Sequence, residues 1–319
     1  MIEVALGIDI GGTNTIFGFI NKEGVCLAKG TLKTQKHADI EDYIDELFQI
    51  VETKRNALSY QIDIKGIGIG APNASYYTGT IEDAANLRWK GRIPFVSLVK
   101  KRMDVPVYMT NDANAAAMGE KVFGAARNMN NFIVITLGTG LGSGIFVNGD
   151  ILHGHDGFAG EIGHMIVRKS GRECGCGRKG CLETYVSATG VKRSVYKLLA
   201  RHIGDSELRD IPYNKLTAKM VAEAANRGDE VAKETFTYTA TILGEVLANV
   251  VAVTSPEAIF LFGGLTQAGD ILFDPVRKSL EENLLSVYKN KIQVLPSGLT
   301  ENAAVLGTAA LVWNSKNNI

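Results

Sequence analysis

The sequence predicts an α/β protein of two domains, each a mixed sheet with flanking helices, with a metal-binding loop set into the second. Three observations predict this. The chain has 319 residues, more than one ordinary hydrophobic core organises. Apolar strand-like runs alternate with segments of helical period along its whole length. A unit of strand, glycine-rich turn, strand and polar turn occurs over residues 6–24 and again over 132–150, which reads as an internal duplication.

Taken in order, Val4–Ile10 is a buried strand that ends in Gly11-Gly12-Thr13-Asn14. Strands follow over Thr15–Ile20 and Val25–Leu32, joined by the turn Asn21–Gly24. Ile40, Tyr43, Ile44, Leu47, Phe48 and Val51 fall at helical spacing within 39–58. Ile64–Gly70 is a strand leading to the loop Ala71-Pro72-Asn73. Residues 94–102 read as a helix, Val105–Met109 as a strand and Ala113–Ala125 as an alanine-rich helix, with Asn111 and Asp112 at the junction. Phe132–Leu137 is a strand ending in Gly138-Thr139-Gly140-Leu141-Gly142, and Ser143–Asn148 is its return. Helices are expected near 186–203, 215–227 and 229–253. Ala258–Phe262 is a strand ending in Gly263-Gly264. The last helix, 301–314, places Ala304, Val305, Thr308 and Leu311 on its apolar side. The domain boundary is expected near residue 115: residues 1–115 plus 300–319 form one domain and 116–299 the other.

Composition excludes several classes. The apolar share is 45% and the charged share 21%, the values of a globular protein. Acidic and basic residues number 34 each, so the basic footprint of a nucleic-acid binder is missing. The N-terminus reads as a strand, not a signal peptide. No apolar run approaches the ~20 residues of a membrane span. Reduced thiols and no export signal place the protein in the cytoplasm, with no membrane and no nucleic acid among its partners.

The glycine loops point to phosphate. Backbone N–H groups in a concavity bind phosphate, and side chains obstruct the approach. Either Gly11-Gly12-Thr13-Asn14 or Gly138-Thr139-Gly140 alone is as consistent with a plain hairpin, and neither matches the Rossmann or P-loop fingerprint. Two such hairpins, one in each half, are more specific. Asp9, just before the first, is placed to hold Mg2+ against phosphates, or else to stabilise the turn.

Cys174, Cys176 and Cys181 fall within eight residues, and His164 stands just upstream in Gly160-Glu161-Ile162-Gly163-His164. Three thiolates and one imidazole complete a closed tetrahedral zinc site, which builds structure and leaves no position for water. A disulfide within the cluster is the poorer alternative, because Cys174 and Cys176 are too close for relaxed geometry. Cys26 reads as an inert strand residue. Glu161 and Glu183 flank the ligands, so an ion here fixes two carboxylates.

Gly7-Ile8-Asp9-Ile10-Gly11-Gly12-Thr13 resembles the first phosphate motif of the sugar-kinase, actin and heat-shock-chaperone superfamily. The Gly160–His164 motif together with Cys174–Glu183 resembles the ROK family (repressors, open reading frames and kinases), over nearly the whole chain. The resemblance implies two actin-like, ribonuclease H-like domains around a cleft where ATP and a hexose meet. It implies MgATP-dependent phosphorylation of a sugar hydroxyl, typically O6, with glucokinase as the leading activity. Asp112 is then the general base. Asn111 and Asn86 bind sugar hydroxyls, and Glu161, His164 and Glu183 bind the ring toward its anomeric end. Gly11, Gly12, Thr13, Asn14, Gly138, Thr139 and Gly140 line the phosphate site, and Gly263-Gly264 lies near the nucleoside. His164 serves zinc with one nitrogen and sugar with the other. At a helix N-terminus Asp112 is expected to be ionised, and it is equally suited to cap the helix. The family implies a homodimer or tetramer.

Two positions depart from the family pattern: Asn73 replaces a glycine, and Ala85 replaces a proline before Asn86. Asparagine tolerates the positive φ that turn requires. N-acetylglucosamine, N-acetylmannosamine, allose and fructose kinases are alternative activities. A sugar-responsive repressor is a further one, disfavoured by the position of Asp9 so near residue 1, and a non-catalytic sugar sensor is another.

Overall fold

A computed structural model describes residues 1–299 and 302–315. Residues 300, 301 and 316–319, which include the expected start of the last helix, lie outside the described residues. In chain order the elements are β1 (Ile2–Ile10), β2 (Asn14–Ile20), β3 (Cys26–Lys33), α1 (Ile40–Asn56), β4 (Ile62–Gly70), β5 (Ala74–Ser75), β6 (Thr80–Glu82), β7 (Arg92–Ile93), α2 (Phe95–Lys100), β8 (Val107–Thr110) and α3 (Asp112–Val122). Then come β9 (Phe132–Leu137), β10 (Leu141–Val147), β11 (Asp150–Ile151), α4 (Glu183–Val186), α5 (Ala188–Leu199), α6 (Ala218–Arg227), α7 (Glu230–Thr254), β12 (Ala258–Phe262), α8 (Asp270–Asn283), β13 (Gln293–Pro296) and α9 (Ala303–Ser315).

The chain divides into two units. Unit one is Met1–Met129, Asp150–Gly160 and Ser297–Ile319; unit two is Asn130–Gly149 and Glu161–Pro296. A boundary at residue 115 would cut through α3, which stays whole in unit one. The main sheets share one topology, β3-β2-β1-β4-β8 and β11-β10-β9-β12-β13. In each, the central strand pairs antiparallel with its hairpin partner and parallel with the next strand. The repeat read at 6–24 and 132–150 is thus the opening hairpin of two equivalent sheets.

In unit one, Leu6, Ile8, Phe17 and Phe19 are fully buried, as are Tyr43, Ile44, Leu47 and Val51 of α1. Asp39 caps α1 by accepting the Glu41 N–H at 2.7 Å. Helix α9 departs from the expected stripe. Ala304 is exposed, while Val305 through Trp313 are buried all round. The reason is backbone contact on two sides. A Cβ at Gly68 of β4 would lie 1.8 Å from the Thr308 carbonyl oxygen, and one at Gly307 would lie 2.5 Å from that of Ala115. Glycine therefore lets α9 rest on the sheet and lets α3 rest on α9, which fixes the helix that carries Asp112.

In unit two, α7 is long and apolar enough to cross a membrane by length and composition, which corrects the sequence reading that no such stretch exists. Of its most apolar window, 61% is buried inside the protein. It packs on α8, where Ser279 Oγ donates to Thr241 O at 2.8 Å. It is a core helix by these contacts.

Candidate active site

Unit one brings Asp9, the Gly11–Asn14 turn, Asn86, Asn111 and Asp112 together at one end of its sheet. The turn closes through the Gly11 N–H donating to Asn14 O at 3.0 Å. A Cβ at Gly12 would lie 3.1 Å from Asn86 Cβ, so the Asn86 loop touches the turn directly. Gln35, which the sequence reading missed, joins them: its Nε2 donates to Gly12 O and to Asn86 O, both at 2.9 Å. Leu87 and Trp89 are buried beneath, with Trp89 against the Tyr43 ring at 4.6 Å between centroids. Below the turn, Tyr43 Oη and Thr15 Oγ1 are 2.6 Å apart.

Both departures from the family pattern are accommodated. Asn73 adopts φ +50°, the left-handed turn expected of it, and its Nδ2 donates to Glu82 O at 2.9 Å. At Ala85 no proline stiffens the loop, yet Lys90 Nζ bridges Ala84 O at 2.8 Å and Ala85 O at 3.4 Å.

Asn111 is the N-cap of α3, accepting the Asn114 N–H at 2.6 Å. This corrects the expectation that Asp112 caps. Asp112 is the first residue of the helix and accepts the Ala113 N–H at 2.8 Å. Its carboxyl is open to solvent on one side and closely surrounded by protein elsewhere. The helix terminus alone would keep it firmly ionised, but burial outweighs the backbone hydrogen bond and pushes its pKa up. Burial, with the charge of Asp112 added, pushes Asp9 up to about 6. A carboxylate raised by the charge of a neighbouring carboxylate favours a cation beside it. Thr110 Oγ1 and both amide atoms of Asn114 are buried here with no hydrogen-bond partner among the described residues. Such groups are uncommon and mark a strained or functional place.

Unit two holds the second hairpin. The Gly138 N–H donates to Gly140 O at 3.0 Å, the Ala188 N–H to Gly138 O at 2.9 Å, and Thr189 Oγ1 to Thr139 O at 3.1 Å. Gly263, at φ +107°, crosses the root of this hairpin, where a Cβ would lie 2.7 Å from Leu137 O; Gly264 opens the 3-10 turn that follows. Glu183 faces the hairpin. Its Oε2 accepts the Leu141 N–H at 3.0 Å, and its Oε1 is 3.6 Å from Cys174 Sγ.

The metal loop packs on the same strand. A Cβ at Gly163 would lie 2.4 Å from Leu141 O, so Glu161 and His164 sit beside the start of β10. His164 Nδ1 is 3.6 Å from Cys174 Sγ, and Cys176 Sγ is 3.7 Å from Cys181 Sγ. The four ligand atoms lie within 4.8 Å of one another. Tetrahedral zinc, with Zn–S about 2.3 Å and Zn–N about 2.0 Å, sets its ligand atoms about 3.5 to 3.8 Å apart. The donor set and spacing fit the ion, and all four cysteines of the chain are free thiols. The other nitrogen of His164, Nε2, is 3.9 Å from Glu161 Oε2. The ring thus turns one nitrogen to the thiols and the other to a carboxylate. Arg178 Nη2 holds the loop by donating to His164 O at 3.0 Å.

Residues 5–315 match the profile of the ROK family. The chain belongs to the ROK family. It is 35% identical to a glucokinase of Halalkalibacterium halodurans, over 98% of this chain and 96% of that one. It is 31% identical to a glucokinase of Thermotoga maritima, over 96% of each. A xylose repressor of Caldicellulosiruptor bescii is 30% identical over 96% of this chain and 77% of the repressor. Among solved structures, a ROK family glucokinase from Streptomyces griseus in complex with glucose and AMPPNP superposes with a TM-score of 0.81 at 32% identity, covering 98% of this chain and 99% of that one.

Within this ROK fold, the residues missed in the sequence share one character. Gln35, Thr189 and Arg178 act through carbonyl oxygens of other loops, and Lys90 through the carbonyls of Ala84 and Ala85 in its own loop, so none of them belongs to a motif.

Proposed function

We propose that this chain is an ATP-dependent hexose kinase of the glucokinase type, transferring the γ-phosphoryl group of MgATP to the sugar 6-hydroxyl. The observation that carries the reading is Asp112: a carboxylate raised by burial, at a helix N-terminus, beside Asn111 and the acidic Asp9. A base with a raised pKa accepts the hydroxyl proton more readily as the new P–O bond forms. Phosphoryl transfer otherwise needs in-line positioning and charge neutralisation rather than covalent chemistry. By the family resemblance the sugar-binding residues are Asn86 and Asn111 of unit one and Glu161, His164 and Glu183 of unit two. The N–H groups of Gly11–Asn14 and Gly138–Gly140 cradle the phosphates, with Gly263-Gly264 toward the nucleoside. Asp9 holds Mg2+, directly or through water. His164, Cys174, Cys176 and Cys181 hold zinc; bound there, the ion supplies structure, because four protein ligands leave no open position. The protein works in the cytoplasm as a homodimer.

The test is a coupled ADP-release assay with MgATP over glucose, mannose, fructose, allose, N-acetylglucosamine and N-acetylmannosamine. Turnover with glucose is expected to be the fastest. Turnover only with an N-acetylhexosamine reassigns the substrate. No turnover with any sugar, with sugar binding intact, favours the non-catalytic regulator to which the likeness to a xylose repressor points.

A further inference from the structure

Unit two holds a recess of about 520 Å3 that none of the residues above explains. Arg168, Gly171, Arg172, Tyr185, Lys197 and Tyr238 line it. Arg172 lies over the Tyr185 ring, its guanidinium carbon 4.6 Å from the ring centroid. Its Nη1 donates to Thr184 O at 2.7 Å and Gly190 O at 3.0 Å, and its Nη2 to Ser194 Oγ at 3.0 Å. All three acceptors are neutral. A guanidinium carries five N–H donors, so Nε–H and one Nη2–H are left without an acceptor among the described residues.

The rest of the recess does not supply the missing counter-charge. Arg168 reaches one carboxylate, Glu245, at 3.7 Å. Lys197 has no ion pair among the described residues, and its Nζ stands 6.0 Å from the centre of the Tyr238 ring. Three cations therefore face a space with one carboxylate at its edge. A half-buried guanidinium with spare donors and no acidic partner is an unfinished anion site. The recess is also held firmly. The Gly180 N–H donates to Arg172 O at 2.8 Å, and the Val167 N–H donates to Gly180 O at 2.8 Å. The Arg172 N–H donates to Tyr185 Oη at 3.1 Å.

We propose that this recess binds a phosphate group, free or as a phosphate monoester, at a site separate from the hexose and nucleotide sites. A dianion matches the guanidinium fork of Arg172 and the point charges of Arg168 and Lys197. The partly exposed ring of Tyr238 leaves an apolar wall for whatever the phosphate is attached to. Two sources carry this chemistry, inorganic phosphate and a hexose 6-phosphate.

The experiment is calorimetric titration of the zinc-loaded protein, with Mg2+ and AMPPNP saturating the nucleotide site. Inorganic phosphate is the ligand in one arm and glucose 6-phosphate in the other. Saturable binding is expected in at least one arm, weakening as salt is raised. Lys197 is exposed, so Lys197→Glu folds normally, and it is expected to weaken that binding by about tenfold or more. Lys197→Gln is expected to fall between. Equal affinity in both arms assigns the phosphate alone; tighter binding of the ester assigns the tyrosine wall as well. Absence of binding in both arms, or equal affinity in wild type and Lys197→Glu, overturns the proposal. AMPPNP binding, measured in the same samples, is expected to be unchanged in both variants, which separates this result from the kinase reading.

Discussion

The two units open on the same hairpin and brace it differently. In unit one the turn Gly11–Asn14 is tied by a neutral side chain, Gln35, to a neighbouring loop, and the charge stands before it in Asp9. In unit two the turn Gly138–Gly140 is tied by a charged side chain, Glu183, and by the helix start at Ala188 and Thr189. Glu183 in turn approaches Cys174 of the metal loop. One copy of a duplicated sheet therefore places acids beside its turn, and the other places a brace from the cysteine loop behind it. The lesson is that equivalent backbones divide labour through what is inserted after the hairpin. Unit one inserts the Asn86 loop and α3; unit two inserts the cysteine loop.

The sharpest way to break this comparison is at Asp112, which belongs to unit one alone. Asp112→Ala is expected to lower kcat by about 10²- to 10⁴-fold, the usual range for a general base, while glucose binding measured by calorimetry persists. Near-normal turnover would move the base elsewhere. Next in size is metal removal, which acts on unit two. Zinc analysis is expected to give one ion per chain, and chelation is expected to lower Tm by several degrees through loss of a tightly bound ligand. Hydrogen exchange should then rise around 161–185 and stay unchanged in α1 and β1–β4. Uniform loosening of both units would contradict the division.

A smaller effect isolates the brace. Glu183→Ala spares all four metal ligands and removes the acceptor for the Leu141 N–H, a bond to a charged group worth about 1.5–3 kcal/mol. It is expected to raise KM for ATP by about tenfold, with zinc content unchanged. A rise in the sugar KM alone would show that Glu183 serves only the hexose.

The smallest effect has the opposite sign. Folding raises the Asp9 pKa from 3.8 to about 6, so the folded state holds its proton more tightly than the unfolded one. The contribution of Asp9 to stability is fully present below about pH 4 and is lost as pH rises through about 6. Above that, ionised Asp9 opposes folding. Asp9→Asn is expected to stabilise the protein at pH 7.5 by about 1–2 kcal/mol, with no gain at pH 4, while activity falls because Mg2+ loses its holder. Denaturant melts at the two pH values decide this. The raised pKa of Asp112 adds that kcat should fall on the acid side at a pH above the ordinary carboxylate range.

Much of this was legible in the string of residues. Hydrophobic periodicity placed the long strands and most of the long helices to within a few residues, because one buried face imposes its repeat, but it left α8, the single turn α4 and the short strands β5, β6, β7, β11 and β13 unread, most of them too short to show a repeat. The duplication was visible because the same strand, glycine-rich turn and strand recur in each half. The cysteine spacing announced a metal site because four donors must reach one point. The misreadings have physical reasons too. Helix α9 was read as one-sided, although Gly68 and Gly307 let two elements close on it. Asp112 was read as the cap, although Asn111 supplies that bond. The membrane test on α7 depends on what packs around it.

Residue order alone thus specified the long strands and most long helices, the glycine turns, the thiolate set and the acid at the helix start, since each follows from local geometry or from the chemistry of one side chain. Only the folded molecule assigned the braces: Gln35 to Gly12, Lys90 to the Asn86 loop, Glu183 to Leu141 and Arg172 to its unfilled recess. All but the Lys90 contact join segments from different parts of the chain, and burial, which raises the pKa of Asp9 and Asp112, exists only once the segments have met.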